Sequence, residues 1–403
     1  MKTRMIQLLA IIVLIVSSCD NAVSNDPADN NVPTIYKKYI IAKIGDASGA
    51  GIKGDGSLWT WGDNNLGPLG NNTNASFTSN EPIKIGTDLD WKTLDVGQAH
   101  VIALKNNGTL WGWGNNNFGQ LGIGTTTNVG VRVPTQIGTA TDWKEISSKF
   151  NHTLAIKTDG TLWAWGRNDY TGTLGDGTTT NKLSPVQIGT ATDWKSVSAG
   201  DHHSMAIKNY GSLWAWGNND EGQFGRGNTI GSLVPINVSA TVTGNNPVYI
   251  KVSCGAFHTL AIRSDYSMWS VGANQFGQLG DGTNSSKTNF VNISNNRGWG
   301  SISAGLTHNV AVSSGSSSEG PLYTWGSNIK GQLGDGTVVN KNVPTLIFAT
   351  VNLWQVGLAT AGYNRTIGRY QDGTETYSWG DNVGGQLGVS DNVNYNVPRR
   401  ITK

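Results

Sequence analysis

The sequence predicts an all-β fold: a seven-bladed β-propeller of four-stranded blades, with the ring closed by pairing of N- and C-terminal strands. Three observations predict it. One phrase recurs seven times at spacings of 51 to 55 residues, the period of a repeated supersecondary unit. Every copy holds four short extended segments punctuated by Gly, Asp-Gly or Asn. Finally, 54 glycines spread through 403 residues disfavour long helices.

Ahead of the repeats, Lys2 and Arg4 precede an apolar run at residues 5–16. That run is long enough for a secretory signal and well short of the roughly 20 residues needed to cross a bilayer. Val16, Ser17, Ser18 and Cys19 follow, and they resemble the lipobox of bacterial lipoproteins. In that family the cysteine is acylated and becomes the first mature residue, so the resemblance implies a lipid anchor on Cys19. An ordinary signal peptide that contains a cysteine is the alternative. Residues 20–34, polar and holding two prolines, read as a flexible tether. The chain then divides into a lipoprotein signal peptide (1–18), a lipid-anchored tether (19–34) and the propeller (35–403). The expected location is the bacterial cell envelope, membrane-anchored and facing the periplasm or the cell surface. With Cys19 lipidated, Cys254 has no partner for an intrachain disulfide.

The repeats align on Trp61, Trp113, Trp165, Trp216, Val271, Trp325 and Trp379, each followed by Gly and, two residues further on, by Asn. A Trp or Tyr opens each unit: Tyr39, Trp91, Trp143, Trp194, Tyr249, Trp299 and Trp354. A small-residue segment such as "KSVSAG" follows, then an apolar run such as "HTLAIK", a turn, "TLWAWG", "GQLG" and a Pro-containing close. Asp55-Gly56, Asp159-Gly160 and Asp372-Gly373 suit tight hairpins, because Gly and Asp tolerate positive φ. In "SLWTW" and "TLWAW" the two tryptophans stand two apart and share one strand face. Radial stacking of seven such sheets buries their faces. Residues 397–403 are expected to share a blade with residues 36–45, since an unpaired ring would leave sheet edges exposed.

"LWAWGxNxxGQLGDGT" with "GxxHTxAI" upstream resembles the repeat of the regulator of chromosome condensation family, over residues 36–403. WD40 repeats are shorter and kelch repeats carry a Gly-Gly pair. The resemblance implies a seven-bladed propeller. Known roles in the family are diverse: exchange on a small nuclear GTPase, domains of ubiquitin ligases, a plant ultraviolet-B photoreceptor and a secreted inhibitor of β-lactamase. A lipidated, exported protein does not meet the nuclear GTPase, and the photoreceptor's signature near "GWRHT" has no match here.

Residues shared by every repeat report blade building, so Trp61, Trp113, Trp165, Trp216, Trp325 and Trp379 are assigned a structural role. His100, His152, His203, His258 and His308 also fall at equivalent positions, which Ser48 and Arg365 fill in the first and seventh units. Equivalent atoms on neighbouring blades stand too far apart for bonds of roughly 2.0–2.1 Å to one metal ion, so these histidines are expected to make structural hydrogen bonds. His202 falls outside the pattern and is expected to be exposed. No catalytic constellation and no cofactor site stands out from the repeat background. The "GDGT" loops with Asp176, Asp281 and Asp335 supply one carboxylate each, too few for calcium.

Function is sought where the repeats differ. Phe118, Tyr170 and Phe276 precede "GQLG" at a position held elsewhere by Leu66, Glu221, Lys330 and Gly384. A second loop set, between the Gly and His positions, carries Phe150, Phe257 and Tyr363. Aromatics on exposed loops suit a protein or glycan partner; covering the blade ends is the structural alternative. Charged residues make up 14% of the chain and the net charge is +2, which argues against nucleic acid as partner. The expected protein is a monomer that is not an enzyme, meets the membrane only through its lipid, and binds a protein. A carbohydrate-binding lipoprotein is the alternative and a hydrolase the distant one.

Overall fold

The computed structural model describes residues 38–74, 77–168, 170–239, 247–313, 319–347, 354–355, 359–369 and 375–402. The signal peptide, Cys19 and the tether lie outside the described residues. Among those described there is no helix, and seven antiparallel four-stranded sheets form the blades of a propeller.

Each blade is a meander in chain order. Blade 1 comprises Tyr39–Ile44, Ser48–Lys53, Leu58–Asp63 and Thr78–Ile85. Blades 2 to 5 repeat the pattern from Trp91, Trp143, Trp194 and Tyr249, and blade 6 from Ser301. Blade 7 comprises Thr360–Ala361, Arg365–Arg369, Thr376–Gly380 and Tyr395–Arg400. The first strand of every blade lines an axial channel, so the first strands are innermost and the fourth form the rim. Trp354 departs from the pattern: it lies in a two-residue ladder with Gly320.

The expected closure is not found. Tyr39–Ile44 pairs with Ser48–Lys53, and Tyr395–Arg400 pairs with Thr376–Gly380, so among the described residues no strand crosses between the first and last blades. The repeat unit, from opening aromatic to Pro-containing segment, is already one whole blade. Its outer edge is blunted without a partner chain by Pro82, Pro134, Pro185, Pro235, Pro344 and Pro398, each in a rim strand, where a missing N–H goes unused.

Side chains and single loop backbone bonds join the blades instead; between the last and first, the Ser390 N–H donates to the Asn80 carbonyl at 2.8 Å. Seven apolar clusters fill the joints between successive blades, including one shared by blades 7 and 1 around Tyr39, Trp61, Ile367 and Leu387. At each of six joints a buried tryptophan donates its Nε1–H to a carbonyl in the loop of the preceding blade. Trp113 reaches Pro68 at 2.9 Å, Trp165 reaches Gln120 at 3.0 Å, and Trp216 reaches Thr173 at 2.8 Å. Trp325 to Gln278 and Trp379 to Gln332 continue the series at 3.0 Å, and Trp61 to Gln386 completes it at 2.7 Å. The recurrent Asn pins the same loop: Asn116 Oδ1 accepts the Leu121 N–H at 3.0 Å, and all seven copies make this bond.

The last residue of the "HTLAIK" run completes the blade. Lys105 lies over both the Trp91 and Trp111 rings while binding Asp88 and Asp90; Lys157 and Lys208 repeat the arrangement with Asp142 and Asp193. In blade 5 Arg263 takes the same place over Tyr249 and Trp269.

Candidate binding face

In a four-stranded meander the first-to-second and third-to-fourth turns emerge on one side of the ring. The two candidate loop sets are these turns, so they are two parts of one face.

On that face the structure joins residues from four consecutive blades. The Arg167 guanidinium lies 5.0 Å from the centre of the Phe118 ring and 5.3 Å from that of Phe150, a cation–π bridge between the two loop sets. Phe150 meets the His202 imidazole at 5.2 Å, and His202 stacks on Phe257 at 5.2 Å with 18° between planes. Phe118, Phe150, His202 and Phe257 are half-buried, so each is partly accessible while held by its neighbours. The expectation that His202 stands exposed is thus corrected: two phenylalanine rings hold it.

The other candidates are placed differently. Tyr170 is 89% exposed on its turn, at a φ of 65°, and Phe276 is half-buried; neither makes a ring contact with the arc. Tyr363 is 8% exposed and is not a surface aromatic. Its hydroxyl has no hydrogen-bond partner, and the residue lines the channel.

The five aligned histidines are buried and pushed down by that burial, His100, His152 and His308 to about 3 and His258 to about 4. Four of them bond the next blade through Nε2: His152 to Ser204, His203 to Thr259, His258 to Asn309 and His308 to Thr366, at 2.8–3.1 Å. Each of those partners in turn donates to a loop carbonyl of the preceding blade, and for Ser204, Asn309 and Thr366 it is the carbonyl that also takes the tryptophan N–H; Thr259 binds that of Gln223, where Val271 replaces the tryptophan. Asp176, Asp281 and Asp335 bind threonine and asparagine side chains within their own loops.

Lys149 is a departure that aromatic and histidine anchors do not expose. It stands where the other blades carry Gly45, Gly97, Gly200, Gly255, Gly305 and Gly362. Those positions are tight: a Cβ on Gly45 would lie 2.2 Å from the Gly97 carbonyl, and one on Gly305 2.3 Å from that of Gly362. Lys149 instead sends its ammonium across the axis to the carbonyls of Cys254, Ala304 and Gly305 at 2.8, 2.7 and 3.3 Å. Burial lowers its affinity for the proton, and Asp201 and Asp95 oppose that effect. Buried Asp201 is itself pushed up to about 6 by burial, with one carboxylate oxygen unpartnered. Next to Lys149, Phe150 takes a φ of 47°, a left-handed conformation costly for a non-glycine residue. Strain and a buried charge coincide in the turn at the centre of the arc.

A family model described as regulator of chromosome condensation (RCC1) repeat matches residues 55–104, 107–156, 159–207, 210–262, 319–367 and 375–403. A second model of the same description matches 91–120, 143–171, 194–223 and 249–278. The ultraviolet-B receptor UVR8 of Arabidopsis thaliana is 31% identical over 72% of this chain and 65% of its own length. The mitochondrial RCC1 domain-containing protein RUG3 of the same plant is 29% identical over 84% of this chain and 65% of its own. The human E3 ubiquitin-protein ligase HERC2 is 28% identical over 83% of this chain but 7% of its own. The chain thus spans just under two thirds of the first two relatives. Among solved structures, human WBSCR16 superposes with a TM-score of 0.74 at 20% identity, covering 86% of this chain and 95% of that one. Prp20p of Saccharomyces cerevisiae, described with its binding to Gsp1p and histones, gives 0.72 at 21% identity and 86% coverage of both chains.

Proposed function

The chain belongs to the regulator of chromosome condensation repeat family, and from that premise we propose that it is a lipid-anchored scaffold of the bacterial cell envelope that binds a protein with the turn face of blades 2 to 5. One observation carries the reading: the arc Phe118, Arg167, Phe150, His202 and Phe257 is built from residues the repeat does not require. Half-buried aromatics with an arginine among them are the composition of interface cores. Prp20p binds Gsp1p and histones; what carries over is the class of partner, a protein, and not its identity. The match to the ubiquitin ligase covers 7% of that protein, so its enzymatic activity does not carry over. Export and anchoring rest on residues 1–19.

The test is affinity capture from envelope extracts with the full chain tagged at its C-terminus, comparing wild type with an Arg167→Ala, Phe150→Ser double variant. A protein retained by wild type and lost by the double variant, at matched melting temperature, supports the reading. A partner held equally by both places the site elsewhere.

A further inference from the structure

The axial channel is a cavity of about 320 Å³ lined by the inner strands of all seven blades. At one level every blade contributes a polar side chain to it. Lys43, Asp95, Ser147, Ser198, Ser253, Ser303 and Thr360 each pair with the residue two beyond the histidine position on the neighbouring strand, so they share one depth. The serines knit the blades together: Ser147, Ser198, Ser253 and Ser303 accept the N–H of Ala199, Cys254, Ala304 and Ala361 at 2.9–3.0 Å. Asp95 does the same for Ser148 at 2.8 Å. A hydroxyl oxygen that accepts a hydrogen bond still has its own hydrogen to give.

The ring is therefore rich in donors and poor in acceptors. Lys43 stands in it with no hydrogen-bond acceptor of its own; Asp95, from the next blade, is its nearby opposite charge. Lys251 also lines the channel, its ammonium on the Gly300 carbonyl. Three lysines face one aspartate among the described lining residues. Two residues further toward the turns, Lys149 spans the channel and narrows that end. Tyr363, in the turn at that end, also lines the cavity, its hydroxyl buried and without a hydrogen-bond partner. Four of the seven blades carry serine at this level, and Lys43, with Asp95 as its counter-charge, is the single cation of the ring.

We propose that the channel binds a small organic anion, a carboxylate, at the level of Lys43. The Lys43 ammonium and the serine hydroxyls would donate to its oxygens. The volume suits a ligand of a few carbon atoms, and the site is independent of the protein-binding face.

Titration calorimetry on the full chain, with succinate as one probe and inorganic phosphate as the other, tests it. The expected result is saturable binding of succinate that Lys43→Met weakens at least tenfold, while Arg167→Ala on the outer face leaves it unchanged. Lys43→Gln, which keeps a polar side chain of similar length, is the second variant should Lys43→Met melt early, and it is expected to weaken binding by the same order. Absence of saturable succinate binding overturns the proposal, including the case in which phosphate alone binds. Binding that both Lys43 variants leave intact also overturns it, marking an adventitious anion only.

Discussion

Trp61 donates its indole N–H to the carbonyl of Gln386 at 2.7 Å, a bond between residues 325 apart in sequence. It is the same bond that Trp165 makes to Gln120, 45 residues away. The ring's last joint therefore has the chemistry of its internal joints, and Trp61→Ala and Trp165→Ala are expected to destabilise the fold similarly, each by roughly 3–5 kcal/mol. Denaturant unfolding of the two variants checks this. A Trp61→Ala protein markedly more stable than Trp165→Ala would show that the closing joint is slack.

Residues 397–403 include the end of the rim strand paired to Thr376–Gly380, and Ile401 in the core shared by blades 7 and 1. Their deletion is expected to lower the melting temperature sharply, whereas deletion of residues 20–30 leaves it unchanged. Equal melting of the two truncated chains would remove Ile401 from the closure.

The buried histidines give stability an acid limit. Their folded values lie near 3 to 4 against the ordinary 6.5, so the unfolded chain takes up protons below pH 6.5 that the folded one refuses. Stability is complete above 6.5 and falls as pH drops toward 3, by about 2 kcal/mol per histidine at pH 5. Asp201, raised to about 6, works in the opposite direction between pH 6 and 3.8, and Asp95 and Glu145, also raised by burial, act in the same sense; the five histidines outnumber these three. Melting temperature measured at pH 7.5, 6 and 5 should fall steadily; a flat profile would mean that the imidazoles protonate in place.

Tyr170 and Phe150 take positive φ values of 65° and 47°. Asparagine accepts that conformation with less strain, so Tyr170→Asn and Phe150→Asn are expected to hold stability within about 1 kcal/mol of wild type. Captured partner should fall most for Phe150→Asn, which breaks the arc between Arg167 and His202. If Phe118, Tyr170 and Phe276 are replaced together by Ser and capture is undiminished, the third-to-fourth turns are not part of the site.

For the anchor, Cys19→Ala is expected to release the protein from the membrane fraction or to leave an unprocessed precursor of higher mass. Fractionation together with intact mass reads this out; unchanged values for both would reject lipidation.

Blade number, strand order and the inter-blade tryptophans are legible in the sequence because they recur, and recurrence exposes what folding demands. The mode of closure is not. Inferring strand exchange assumes that a sheet edge needs a partner, but the rim prolines already blunt those edges and a tryptophan bond bridges the gap. That both loop sets share one face follows once the meander order is observed, since alternate turns of a meander emerge together. Side-chain partnerships such as Arg167 with Phe118, or His202 between two phenylalanines, depend on blade-to-blade offsets that the repeat spacing leaves undetermined. Lys149 is visible in the alignment as the one non-glycine of its column, yet its reach to Cys254 and Ala304 follows only from the curvature of the ring.

Because every blade is contiguous in sequence and no strand is exchanged between the first and last among the described residues, the order in which the blades follow one another along the chain is not what closes the ring. Tyr39 and Ile401 share one core cluster, so a short linker could join the native ends and new ones be opened in the connection between any two blades, leaving every sheet whole. Circular permutants cut at different joints should fold to the same ring, and whole blades can be duplicated or exchanged as cassettes. Such an architecture lets the binding arc diversify blade by blade while the closure stays the same.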